Sequence, residues 1–210
     1  FIPLADETGI IIELGEWVFR QACVQLCEWL GMIEPDREFT VTVNISCRQL
    51  IHPSIVGDFR KIMNQTGAPP ERMCLEITES TIMGERQNTA KIIDQIKNLG
   101  VKLALDDFGT GHSSLSCLHS FPIDILKIDQ SFIRNLGESR VFSAVLNSII
   151  SLGHHLNMKI VGEGIETIDQ LVHLQTLDCE WAQGYYFAKP MKAKQATEFL
   201  RSSPDQKSAA

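Results

Sequence analysis

Three features of the sequence predict an α/β fold built on a parallel sheet. Short apolar, β-branched runs alternate with longer segments of helical period, the runs are apolar throughout rather than at every second position, and Gly/Pro-rich breakers separate them. In chain order the alternation reads as a helix at 13–30, a strand at 40–46 and a helix at 49–66, closed by the breaker Gly67-Ala68-Pro69-Pro70. A strand at 73–79 and a helix at 86–99 follow, ended by Asn98-Leu99-Gly100, and then strands at 101–107 and 124–129. The helix 140–156, the strand 159–166, the helix 168–177, the strand 181–187 and the helix 192–201 complete the series. About six strand–helix units of this kind fit either an open doubly wound sheet or an incomplete (β/α)8 barrel. No GxGxxG turn follows the first strand. The two glycines of Asp107-Phe108-Gly109-Thr110-Gly111-His112 open a polar loop instead, so a dinucleotide-binding sheet loses its main support.

The 210 residues suffice for one domain, expected over 1–201 with a small, polar, flexible tail at 202–210. They fall about 40 short of the ~250 residues of a complete eightfold barrel. A net charge of −7 leaves no basic footprint for duplex DNA or an anionic membrane, so DNA is not an expected partner. No apolar run is long enough to cross a bilayer and no charged leader precedes one. The domain is therefore expected to be cytoplasmic, any membrane anchor of a parent protein lying N-terminal to it. The six cysteines (Cys23, Cys27, Cys47, Cys74, Cys117 and Cys179) form no CxxC pair, and four fall in apolar stretches, which suits reduced thiols rather than zinc ligands or disulfides.

Each proposed strand before the last carries polar residues at or near its carboxyl end, where barrel enzymes keep their chemistry. They are Asn44, Glu76 with Glu79, Asp106 with Asp107, Lys127 with Asp129, and Glu163 with Glu166. An unpaired carboxylate in an apolar setting costs several kcal/mol or takes up a proton, and cations remove that difficulty. Oxygen donors without histidine or cysteine suit magnesium or manganese, and the adjacent Asp106 and Asp107 allow one carboxylate to bridge two ions. Two ions about 3.5–4 Å apart would hold water and a phosphodiester for in-line displacement. For any one of these residues, a helix cap or a rim ion pair is the plainer reading; for the whole set, a metal site is the better one.

At these residues the sequence resembles the EAL-domain family of cyclic-di-GMP-specific phosphodiesterases, from Phe1 to about Leu200. The segments that carry the resemblance are Phe1-Ile2-Pro3-Leu4-Ala5-Asp6-Glu7-Thr8-Gly9, Val43-Asn44-Ile45-Ser46, Leu75-Glu76-Ile77-Thr78-Glu79-Ser80 and Asp106-Asp107-Phe108-Gly109-Thr110-Gly111. Leu126-Lys127-Ile128-Asp129, Gly162-Glu163-Gly164-Ile165-Glu166-Thr167 and Gln183-Gly184-Tyr185-Tyr186-Phe187, ahead of Lys189-Pro190, continue it in order. The resemblance implies a modified TIM-type (β/α)8 barrel, incomplete in this sequence, with one early strand of the family running against the others.

It also implies roles. Asn44, Glu76 and Asp106 would bind a first Mg2+ or Mn2+ ion, and Asp106 would bridge to a second that Asp107 and Glu163 complete. Lys127 would orient the attacking water and act on catalysis rather than folding, with Glu163 beside it in the catalytic set. Gln183 and Pro190 would lie against the substrate, and Glu79 would anchor the loop 108–114. The implied reaction opens cyclic-di-GMP to linear pGpG; the alternative is an inactive cyclic-di-GMP receptor. A homodimer and an upstream sensory or GGDEF-type domain are the implied protein partners. His112 stands where the family usually has tyrosine, and Gly162 where it usually has alanine. The family's Glu-Ala-Leu segment, whose glutamate is a further first-metal ligand, is expected upstream of Phe1. The sequence therefore reads as a domain lacking its first strands, active when complete and nearly inactive as these 210 residues alone.

Overall fold

The computed structural model describes residues 1–83, 86–109, 118, 120–136 and 140–202. Six strands form its sheet: β1 (Val41–Asn44), β2 (Met73–Thr78), β3 (Lys102–Phe108), β4 (Ile125–Ile128), β5 (Lys159–Glu163) and β6 (Trp181–Gln183). They lie in strict chain order and every neighbouring pair is parallel. A doubly wound sheet reverses its strand order at a switch point, and this one does not, so the arrangement is that of a half-barrel. The sheet also curls: the segment entering β1 (Glu38, Phe39) and strand β6 (Trp181, Gln183) line the same hollow of about 330 Å³.

Both faces of the sheet are buried over much of their area, which is why its strands read as apolar throughout. On the outer face Val43, Leu75, Ile77, Leu103, Leu105, Leu126, Ile128 and Ile160 belong to one large core. The helices α2 (Ile11–Leu30), α4 (Ile55–Thr66), α6 (Arg86–Lys97) and α8 (Arg140–His155) close that core. They do so with residues at helical spacing: Phe19, Cys23 and Leu26; Phe59, Ile62 and Met63; Ile93 and Ile96; Leu146 and Ile150. Phe19 stacks on Phe59 with ring centroids 4.0 Å apart, tying α2 to α4. Burying each such side chain stabilises the fold by about 1.5–3 kcal/mol. The inner face carries one small apolar layer, Cys74, Ala104, Ile125 and Val161, with Trp181 packed against it.

Several boundaries differ from those read in the sequence, each for a local reason. A first helix, α1 (Ile2–Thr8), was not expected; Pro3 suits its first turn, and Gly9 ends it at φ 83°. The expected helix 49–66 is two, α3 (Cys47–Leu50) and α4. Ser46 and Gln49 form a capping box on α3, while Pro53 lacks an N–H and restrains His52, which separates the pair. Strand 73–79 stops at Thr78, and Glu79 opens α5 (Glu79–Met83). Strand 124–129 stops at Ile128, and Asp129 caps a short helix, α7 (Gln130–Arg134).

Strand 159–166 ends at Glu163 because Gly164 takes φ 73°. Strand 181–187 ends at Gln183 because Gly184 lies against the backbone of Ile165, where a β-carbon would stand 2.1 Å from a carbonyl oxygen. Helices α9 (Ile168–Thr176) and α10 (Ala193–Ser202) follow these turns. The expected tail lies outside the described residues after Ser202. Among the described residues no helix is long and apolar enough to cross a membrane.

Candidate active site

Strand register decides which side chains meet on the inner face. It sets Asn44 beside Glu76, Thr78 beside Asp106, and Glu163 beside Gln183, all toward the carboxyl ends of their strands. Lys127 rises from β4 into the middle of this row. Its Nζ lies 2.9 Å from Glu76 Oε1, 2.9 Å from Asp106 Oδ1 and 2.7 Å from Glu163 Oε1. Glu76 and Lys127 are buried, at 7% and 5% exposure. Burial alone would pull the lysine pKa down, but the bonds and charges of Glu163 and Glu76 outweigh it and push the pKa above the ordinary lysine range. Lys127 is therefore a fixed positive charge at neutral pH. Removing this ammonium would leave three carboxylates without a counter-charge, so a structural part for Lys127 has to be tested beside the expected one toward water.

Asp106 and Asp107 pose a geometric problem, since neighbours on a regular strand point to opposite faces. The chain solves it with a bulge. Between the pairs Leu105–Leu126 and Phe108–Ile128, β3 spends three steps where β4 spends two. Asp107 itself sits at φ 55°, in the left-handed region that aspartate tolerates better than most residues. The result is that carboxylate oxygens of Asp106, Asp107 and Glu163 lie within 4.8 Å of one another. Partial burial, then the charges of Asp106 and Asp129, raise the pKa of Asp107. Burial raises that of Glu163, which Lys127 offsets in part.

The donor set fits divalent cations that prefer oxygen. All three clustered groups are carboxylates, hard oxygen donors of the kind such cations take, and Asp106 Oδ1 has the Lys127 ammonium 2.9 Å away as its present counter-charge. Asp107→Asn tests the arrangement, because asparagine adopts the same backbone without the charge. Its melting temperature in chelator should be no lower than the parent's, while Mn2+ affinity should fall at least about tenfold by calorimetric titration.

The other expected residues fall around this cluster. Asn44 is exposed and enters through its register with Glu76. Gln183 is exposed beside Glu163 and borders the hollow beneath Lys127. Pro190 lies farther out, in a groove of about 520 Å³ that it shares with Gln183, Tyr185, Trp29 and Phe39. Glu79 is buried at the first residue of α5; the loop it was expected to anchor lies outside the described residues from Thr110 to Ser114, His112 included. Of the other strand-end acids, Asp129 accepts a hydrogen bond from Ser131 N at 2.9 Å as a helix cap, and Glu166 is exposed. Gly162 has a packing reason: a β-carbon there would stand 2.5 Å from Leu174 Cδ1, so Leu174 fills the space an alanine would take.

Sequence reasoning missed the floor of the hollow, where Trp181 packs on the inner apolar layer and Phe39, which packs on the main core, lines the same space. Lys159 stands 4.4 Å from the centre of the Trp181 ring and pairs with Glu38. The available signal was the position of Trp181, two residues before Gln183 and therefore on the same face.

Comparison with known proteins gives the following. The family model described as EAL domain matches residues 1–190. A protein of Pseudomonas aeruginosa named bifunctional diguanylate cyclase/cyclic di-GMP phosphodiesterase MucR is 40% identical over 195 residues, covering 93% of this chain and 28% of that protein. Cyclic di-GMP phosphodiesterase NbdA of the same organism is 38% identical over 202 residues, covering 96% and 25%. The chain thus spans about a quarter of the length of these curated relatives. Among solved structures, that of the PaMucR phosphodiesterase in complex with c-di-GMP superposes with a TM-score of 0.87 at 39% identity, covering 93% of this chain and 78% of that one.

Proposed function

This chain belongs to the EAL-domain family, and from that membership we propose that its strand-end carboxylates serve the metal-dependent hydrolysis of cyclic-di-GMP to linear pGpG. The observation that carries the reading is the meeting of Asp106, Asp107 and Glu163 within 4.8 Å, with Asp106 and Glu163 also paired to the ammonium of Lys127. Asn44, Glu76 and Asp106 would hold one Mg2+ or Mn2+ ion, and Asp106, Asp107 and Glu163 a second. When bound, such ions neutralise phosphoryl charge and lower the pKa of water.

The chain's own residues do the rest. In the metal-free site the carboxylates of Glu163 and Glu76 keep Lys127 in its charged form. It donates hydrogen bonds and holds the carboxylates, or an oxygen of water or phosphate, in line. Gln183 and Pro190 border the space in which the nucleotide would lie, and Glu79 would brace the loop after β3.

The raised pKa of Glu163 sets the sign of a pH effect. Its proton is retained to higher pH than in an ordinary glutamate, and a cation must displace it. Affinity for Mn2+ should therefore rise with pH from the ordinary carboxylate range upward and level off once Glu163 is ionised. In calorimetric titrations, proton release on binding should shrink over the same interval; pH-independent affinity would remove Glu163 from the ligand set.

The assay that tests the function follows pGpG by chromatography, with Mg2+ or Mn2+ and with chelator. Metal-dependent pGpG supports the hydrolase, and cyclic-di-GMP binding without pGpG would favour the receptor. These 210 residues alone should turn over slowly, because Asn44 sits on β1, which pairs on one side only among the described strands. A homodimer, and a sensory or GGDEF-type domain elsewhere in a longer polypeptide, belong to the same proposal. The bifunctional name and greater length of MucR support the second of these.

A further inference from the structure

We propose that α7 is the positioning element of the metal centre, with Phe132 and Gln130 setting the separation between the Asp106–Asp107 pair and Glu163 through two glycines. The inference rests on the metal-centre reading above. Helix α7 starts three residues after Lys127 and is capped by Asp129, to whose Oδ1 Ser131 N donates at 2.9 Å and to whose carbonyl Phe132 N donates at 3.1 Å. It therefore leaves the middle strand of the site, with β3 and its aspartates on one side and β5 with Glu163 on the other.

On the β3 side the Phe132 ring lies against Gly109, two residues after Asp107: a β-carbon there would stand 2.4 Å from Phe132 Cε2. On the β5 side Gln130 lies against Gly164, the residue after Glu163, where a β-carbon would stand 2.5 Å from Gln130 Cβ. Both glycines are left-handed, at φ 99° and 73°, and neither has a side chain that could yield between the helix and the strand end. Close-packed contacts of this kind transmit displacement rather than absorb it.

A third tie completes the wedge. Gln170 Oε1 accepts from Glu166 N at 2.8 Å and Thr167 N at 3.1 Å, while its Nε2 donates to Ile133 O at 3.5 Å, which joins the turn after Glu163 to the far end of α7. Phe132 is half-buried against the main core, so its ring is held from behind as well. Moving α7 by a fraction of an ångström therefore moves the two carboxylate groups relative to each other.

The test is Mn2+ titration of the 210-residue chain, read by electron paramagnetic resonance of the free ion, beside thermal melts. Phe132→Ala should weaken Mn2+ binding at least about tenfold, the scale seen when a group that orients a metal ligand is lost. Phe132→Leu, which keeps a branched apolar group against Gly109, should regain most of it. Ile62→Val, on α4 and fully buried, should lower the melting temperature and leave Mn2+ affinity unchanged. Equal affinity in Phe132→Ala and parent, or affinity that merely tracks melting temperature across the three variants, overturns the positioning role. A parent chain that binds no Mn2+ removes the metal centre itself and this inference with it.

Discussion

Asp106→Ala should reduce metal-dependent pGpG formation by more than about a hundredfold in a complete domain, because both proposed ions share that carboxylate. The residue stands at the point where the contacts converge, with one oxygen 2.9 Å from Lys127 Nζ and others of its neighbours' oxygens within 4.8 Å. Alanine removes one negative charge from a crowded group, so the variant should fold, which circular dichroism would check. The measurement is kcat/KM for pGpG release with saturating Mn2+. Activity within about threefold of the parent would end the two-metal assignment, since that assignment makes Asp106 the shared ligand.

Lys127→Met should have the largest effect on stability. The ammonium is buried among Glu76, Asp106 and Glu163, and a neutral side chain of similar length leaves three carboxylates without it. Breaking a buried pair from one side costs about 3–5 kcal/mol. In a chain of this size that corresponds to a fall in Tm on the order of 10 °C in chelator. Mn2+ should restore part of the loss, because a dication can supply the missing positive charge, whereas turnover should stay low. Unchanged Tm in chelator would mean that solvent screens the carboxylates and that Lys127 serves chemistry alone.

The six strands were legible because burial on two faces makes each one apolar along its length, and that signal is local. The polar residues at the strand ends were legible for the same reason, as breaks in apolar runs. What stayed hidden depends on distant parts of the chain or on elements too short to show a period. Nothing in Asp106-Asp107 announces a bulge; the extra step appears only when β3 is laid against β4. The three partners of Lys127 come from β2, β3 and β5, and no spacing along the chain encodes their convergence. Helix α7 has five residues, fewer than periodicity needs, and it declares itself only by the cap at Asp129. The break between α3 and α4 was readable in principle from Ser46, Gln49 and Pro53, where capping chemistry and proline outweigh the apolar period that continues across them.

The strict chain order of the sheet also governs how the molecule assembles. Each strand pairs with the one before it, so every step closes one short crossover, and the entropy lost in each closure is modest. Among the described residues some contacts lie outside this scheme. Glu38 meets Lys159 across 121 residues, and Trp29 Nε1 donates to Thr197 Oγ1 across 168. Neither repays its long closure until the intervening units stand, so both are expected to form late in folding. The chemistry straddles the same order: β2, β3, β4 and β5 are consecutive, so the carboxylates and their lysine come from one contiguous run of the chain, whose strand pairing involves neither of the distant contacts.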